Sequence, residues 1–547
     1  MNKRLAGRLF LGTVLACCLS SCVSVDEHLG QSYLSTALQY DIYSEEFPLS
    51  DIRMDMPDSL SSYSLYRFTF GAIRDEIFGL TTRSAAFTLV PVRDTLDFGK
   101  AGTRTFKRFH FTAVTDSVSC ADASQANILQ NVNVYELSDA IDMTNAYPEI
   151  HHLGKRITQG IPLYNGTDSL SFDFSREFGE KYMTMTPAET DSVKHYTKRF
   201  PGIYITADAP AGPGGRINMF KLPVNVKEGV IYGSYASLSF SAEYPGKGVR
   251  DTSFLFYLGP LSKYDMSGVT STSVNEYPQI AYNRATHESR NLAGAALDKI
   301  YFEGGRGLKP VIKAAPIREE LRKRVSLHGN PADIIVSKAT LELPFTFPDD
   351  YTEIDLYPKI LSPTCRVVTD TSVAYAGLSD ASASDENQGD INRSLCQYAP
   401  DISHHIQELL KLEDEDKISN YDIWFLAMAE EVTSTSEGSS SSSSYSDYLN
   451  YLAYNSYYSN MMYGGYGGYG GYGYGGYGYG GYGYGDSYYN NYYNLMMLSA
   501  LYGSSGSSSE ETQTMMDYHR YYRAILNGPA SSSRVPTIKV VYAVPKE

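Results

Sequence analysis

Tryptophan is nearly absent from this 547-residue chain, Trp424 being the only one, and cysteine is scarce. Of six cysteines, Cys17, Cys18 and Cys22 sit near the N-terminus, leaving Cys120, Cys365 and Cys396 for the remainder. Three thiols cannot all pair, and none has a Cys-x-x-Cys or Cys/His spacing, so no disulfide framework or zinc site is expected. A Cys365–Cys396 bridge stays open beside the alternative of three small buried side chains. Positive charge is also short: 46 Lys+Arg against 62 Asp+Glu gives −16. That balance excludes general nucleic-acid binding, which needs a basic footprint. Past the N-terminal segment no apolar run approaches the roughly 18 residues of a spanning helix. Catalytic signatures are missing as well. Gly503-Ser504-Ser505-Gly506-Ser507 is low complexity, not a nucleophile elbow, and there is no His-Glu-x-x-His or P-loop. His151-His152 and His404-His405 are adjacent pairs whose rings diverge on a strand or helix. Asp385 to Asp390 has glycine fifth where a calcium loop needs it sixth. No catalytic residue, metal ligand or cofactor is assigned.

What is present begins with an address. Lys3, Arg4 and Arg8 precede an apolar stretch, Leu9 to Cys18, too short to span a bilayer. It ends in Leu19-Ser20-Ser21-Cys22, which resembles a bacterial lipobox, making 1–21 a signal peptide and Cys22 the lipidated residue. Several acyl chains at about 0.8 kcal/mol per buried CH₂ would anchor the chain firmly. Removing the three basic residues makes the balance −19. Behind Cys22, Asp26-Glu27 resembles the surface-export signal of Bacteroidetes lipoproteins, or is an ordinary solvated linker.

Most of the remaining chain alternates apolar and polar residues, the period of half-buried strands. Ala236, Leu238, Phe240 and Ala242 alternate with polar residues, as do Ile538, Val540, Tyr542 and Val544. In a third run Ile335, Ala339, Leu341, Leu343, Phe345 and Phe347 are assigned to one face. Two packing helices are expected. One starts at Pro316 and stops before Gly329; the other carries Ile402, Ile406, Leu409 and Leu410 on one face after a cap at Asp401 or Ser403. The fold class is therefore all-β, with β-sandwich-like domains and a few packing helices. The expected layout is a linker at 22–46, a β-rich domain at 47–260 and a connecting segment with a helix at 261–330. A C-terminal β domain follows, from 331–437 and 510–547. Between its halves, 438–509 is a Ser/Tyr/Gly-rich insertion in which every residue from Tyr463 to Gly485 is Tyr or Gly. Such a tract cannot bury a core and is expected to be disordered.

Several segments carry a family likeness. Phe70-Gly71 with Asp75-Glu76-Ile77-Phe78-Gly79 precedes a strand at Ala86 to Val90. Val132-Asn133-Val134-Tyr135-Glu136-Leu137, Phe200-Pro201-Gly202-Ile203-Tyr204-Ile205, Lys338 to Leu341, Ile525-Leu526-Asn527-Gly528 and Val540-Val541-Tyr542 follow. In this order they resemble the Bacteroidetes lipoprotein family with domain of unknown function 4270. The resemblance implies a β-rich protein anchored to the outer membrane and supplies no catalytic residues.

The expected function is that of a non-enzymatic binding or scaffold lipoprotein. It would be held in the outer membrane by its lipid, facing the cell surface, with an outer-membrane protein such as assembly or export machinery as partner. Tyrosine offers large amphipathic contact area at low entropy cost, which suits recognition by the tract. The alternative is a surface glycan-binding protein or glycosidase, for which one tryptophan is poor provision. Five Asp-Ser/Thr-apolar triplets resemble a Bacteroidetes O-glycosylation motif and nominate Ser59, Thr95, Ser117, Ser169 and Ser192; the same pairs also favour turns.

Overall fold

The computed structural model describes residues 40–546 apart from 59, 61, 65–66, 92–95, 143–146, 168, 190–192, 223–224, 228–229, 260–278, 369–372, 379, 381–387 and 435–509. Cys22 and the whole Ser/Tyr/Gly insertion therefore lie outside the described residues. The described chain is mostly strand, in several antiparallel sheets with few helices.

Two hydrophobic cores organise it. The first belongs to a 13-stranded sheet. Its strands run in the order Gly248–Gly259, Tyr235–Tyr244, Thr105–Cys120, Gly214–Lys221, Arg67–Asp75 and Gly79–Pro91. Phe256 to Gly259 then pair back with Thr88 to Pro91, so the sheet curls onto itself. Period-2 patterning decides which side chains turn inward: Phe109, Phe111 and Ala113 are buried on one strand, Ala236, Leu238, Phe240 and Ala242 on another. Phe68, Phe87, Phe111 and Phe220 meet from four different strands. The short helix Arg176–Met183, which the sequence reading missed, lays Phe178 and Tyr182 on Phe109.

The second core is built from both ends of the described chain. Strand Thr537–Pro545 lies between Tyr40–Pro48 and Ile335–Pro344, and a seven-stranded sheet contains Ile52–Asp55, Lys309–Ile312, Ile360–Val368 and Ile423–Ser434. The linker expected over 22–46 is thus strand from Tyr40 onward, because its residues find a full register of partners in the last strand. The segment expected to be a connection at 261–330 likewise carries strands that belong to both sheets, Ala281–His287 in the first and Lys309–Ile312 in the second.

Both expected helices are present. One spans Ala314–Val325, two residues earlier than Pro316, because Asp422 from a distant loop accepts the Ala314 N–H (2.9 Å) and binds Lys313 Nζ (2.7 Å). The other, Ser403–Lys411, buries Ile406, Leu409 and Leu410; Asp401 accepts from the Ser403 amide and Asp380 from those of His404 and His405.

The face expected for Ile335 to Phe347 holds only in part. Ile335 and Phe347 are exposed while Ala339, Leu341, Leu343 and Phe345 are buried. A bulge between Val336 and Lys338 inserts one residue and shifts the alternation, and Phe347 lies beyond the strand end.

Candidate functional site: a buried arginine between the two cores

The strands that meet between the cores bring together charged groups far apart in sequence. Arg83 lies on strand Gly79–Pro91, His287 at the end of Ala281–His287, and Glu303 at the end of Lys299–Glu303. Arg83 is 2% exposed, and Glu303 is fully buried. Arg83 Nη1 donates to His287 Nε2 (3.1 Å), since a guanidinium can only donate. The ring proton therefore sits on Nδ1, which donates to Glu303 Oε1 (2.8 Å). Thr81 and Ser289 hydroxyls also donate to Glu303.

The electrostatics follow from that chain. Burial opposes ionisation of Glu303, but the hydrogen bonds from His287, Ser289 and Thr81 prevail and hold its carboxyl well below the ordinary carboxylate value. Burial pushes His287 below its ordinary value despite the pull of Glu303, consistent with the neutral ring that the hydrogen bonds require. Arg83 is lowered to about 10 by burial, opposed by Glu303 and Asp517. Lys309, which donates to the backbone carbonyls of Glu303 and Gly307, is lowered to about 7 by burial.

Beside Arg83 lies a cavity of about 20 Å³ lined by Ser62, Arg83, Asn283, Ala285, Gly305, Arg306, Tyr518 and His519. Gly305 has φ +58°, and a Cβ there would collide with Arg83 Nη2, so glycine is what lets the loop pass the guanidinium. Arg306 stacks its guanidinium over Tyr147 at 3.7 Å. No carboxylate lines the cavity. Ser64 Oγ lies 3.4 Å from His519 Nε2 but also accepts the Arg67 amide. Asp517 is engaged elsewhere, with Arg520 Nη1 (2.6 Å), the Tyr522 hydroxyl (2.9 Å) and backbone amides. These three residues do not form a relay with a nucleophile at its end.

The residues nominated from sequence do not gather here. Cys22, Ser59, Thr95 and Ser192 lie outside the described residues. Ser169 begins strand Ser169–Asp173 and is exposed. Ser117 sits within strand Thr105–Cys120 opposite Met219, half-buried, its hydroxyl donating to Asp116 (3.3 Å); the turn expected at that pair is absent. His152 stacks on Tyr135 at 4.4 Å between ring centroids. His405 is buried and bonds the Tyr421 carbonyl through Nε2 (3.0 Å), so burial brings it down to about 4. Cys120, Cys365 and Cys396 are free thiols, and Cys365 packs 3.9 Å from His405 Nδ1. Trp424 is buried edge-on against Tyr375, which removes it as an exposed sugar platform.

The segments that carry the family likeness occupy structural positions. Asp75 Oδ1 accepts the amides of Ile77 (2.8 Å) and Phe78 (2.9 Å), closing the turn into Gly79 at φ +75°. The segments at Ala86–Val90, Val132–Leu137 and Ile203–Ile205 are on neighbouring strands, with Ile203 opposite both Phe87 and Glu136. The Arg83 cluster was missed because its members lie up to some two hundred residues apart. Its one local signal is an arginine just before the apolar run Ala85–Phe87 of its strand, which demands buried partners. Comparison of the chain with family models, curated proteins and solved structures finds no match.

Proposed function

We propose that this protein is a lipid-anchored outer-membrane lipoprotein that acts by binding, as a scaffold or accessory subunit of an outer-membrane protein complex, with Cys22 as its anchor and the Tyr/Gly-rich segment as its contact arm. The observation that supports it most is where that segment is spliced in. Strand Ile423–Ser434 pairs with Glu510–Met516, and Ser434 stands opposite Glu510. The segment from 435 to 509 therefore leaves and re-enters at the end of a hairpin whose two strands pair with each other. A segment inserted at a hairpin end and rich in tyrosine suits recognition. The resemblance to the Bacteroidetes lipoprotein family points the same way through its motifs alone.

The test uses the chain in its own membranes. Mild-detergent extraction should yield the protein in a stoichiometric complex with an integral outer-membrane protein, and deleting 438–509 should release it while leaving the fold intact. Recovery of the intact chain alone would overturn the binding reading. Labelling with a fatty-acid analogue should mark the wild type and not Cys22→Ser; equal labelling would overturn the anchor.

A further inference from the structure

Among the described residues Arg216 and Arg83 are the most enclosed arginines, and of the buried arginines Arg83 alone leaves both Nε and Nη2 unmet. Arg216 directs Nε to Asn218 Oδ1 (2.6 Å), Nη1 to the carbonyls of Ala126 (2.6 Å) and Ile128 (2.9 Å), and Nη2 to the Tyr164 carbonyl (3.1 Å). Arg83 uses only Nη1; its buried Nε and Nη2 have no hydrogen-bond partner. These two N–H groups lie on the same edge of the guanidinium and form a planar fork matched to two carboxylate oxygens. The protein uses that edge elsewhere: Arg366 grips Asp58 with Nε to Oδ1 (2.9 Å) and Nη2 to Oδ2 (2.5 Å). Leaving two buried donors unmet is costly, so an unfilled fork needs an explanation.

We propose that the cavity beside Arg83 is a binding site for a single carboxylate group, gripped by the Nε/Nη2 edge of Arg83 with Arg306 at the same opening. Three observations converge. The relay through His287 to Glu303 fixes the guanidinium from behind, so the fork is preorganised. The lining supplies arginines, hydroxyls and His519 but no carboxylate of its own. A planar fork of two N–H groups matches the two oxygens of one carboxylate, as the Arg366 grip on Asp58 does. The source is a free small acid or the carboxylate of a peptide inserted through the opening. This inference does not depend on the lipid anchor or the tract, and its failure would leave both untouched.

The experiment is thermal denaturation and calorimetric titration of the full chain with sodium formate, at ionic strength held constant with sodium chloride. A short peptide is compared as its free acid and its C-terminal amide. Formate should give a saturable rise in melting temperature, weakened at least about tenfold by Arg83→Lys, which keeps charge and loses the fork. Ala285→Leu, which fills the cavity from the position directly opposite Arg83 on the neighbouring strand and leaves the His287 and Glu303 side chains in place, should abolish the response in a folded protein. Tighter binding of the peptide acid than of its amide would support a peptide-borne source, and binding of formate alone a free one. A response no greater than that to chloride, or equal in wild type and Ala285→Leu, would overturn the proposal and leave the fork to water.

Discussion

The two cores are assembled from the same strand pattern and filled with different side chains. The first takes most of the chain's 22 phenylalanines, packed as a continuous set of stacked and edge-on rings. The second is largely Ile, Leu and Val, with phenylalanine at Phe47, Phe302, Phe345 and Phe425. Where a curled sheet faces itself, rings from opposite strands fill the space between the faces. Where two helices lie on a sheet, branched aliphatics fill the narrower ridges and grooves. Period alone therefore decides what is buried, and the neighbouring element decides the shape of what is buried.

The largest test removes one ring. Phe111 packs on Phe87 and Phe172, with centroids 6.1 and 4.8 Å away, and Phe111→Ala should cost about 4 kcal/mol. Leu341→Ala in the aliphatic core should cost about 2–5 kcal/mol. Because the two clusters share no residue, denaturant unfolding should show each substitution moving its own transition. Coincident shifts would show that the charged junction welds the cores into one cooperative unit.

Acid should separate the cores next. His405 belongs to the aliphatic side, and its folded value of about 4 lies below the ordinary 6.5. Between those values the unfolded chain binds the proton that the folded chain refuses, so stability falls as pH drops from 6.5 to 4. The loss is on the order of 3 kcal/mol. Glu303 adds a second loss at the junction as pH falls from 4.5 toward 2. Stability measured against pH should have a shallower upper slope in His405→Gln, the remainder belonging to His287, which burial also holds below its ordinary value. An unchanged slope in that variant would place the titrating group elsewhere.

A smaller effect concerns the helix Ala314–Val325. Asp422→Ala strips its amide partner and the Lys313 contact, and should cost about 1–2 kcal/mol in the aliphatic transition alone. The smallest effect is expected for deleting 438–509 with a short Gly/Ser bridge. Loop closure changes by only about 0.6 kcal/mol per doubling of length, so melting should hardly move. A large drop would mean that the segment belongs to a core.

The alternating strands were legible because burial on one face writes period 2 into the sequence, as at Ala236–Ala242 and Ile538–Val544. The bulge after Val336 was not, since one extra residue leaves composition unchanged while reversing the faces. Nor was the cap of the Ala314 helix, whose carboxylate arrives from residue 422. The Arg83 cluster shows the same limit. Thr81, Arg83, His287, Ser289 and Glu303 each look ordinary alone, and only strand pairing gathers them.

The pairing of Tyr40–Pro48 with Thr537–Pro545 has a consequence for synthesis. A chain made from its N-terminus must carry the first of these strands unpaired until the last has emerged. During that wait its open amides and carbonyls are a template for any passing strand. Asp41, Glu45 and Glu46 crowd that short segment with negative charge, and Pro48 ends it without an amide donor. The strand reads as one kept solitary until its own partner arrives, and replacing those acids with valine should show as aggregation of nascent chains long before it shows in the melting of the finished protein.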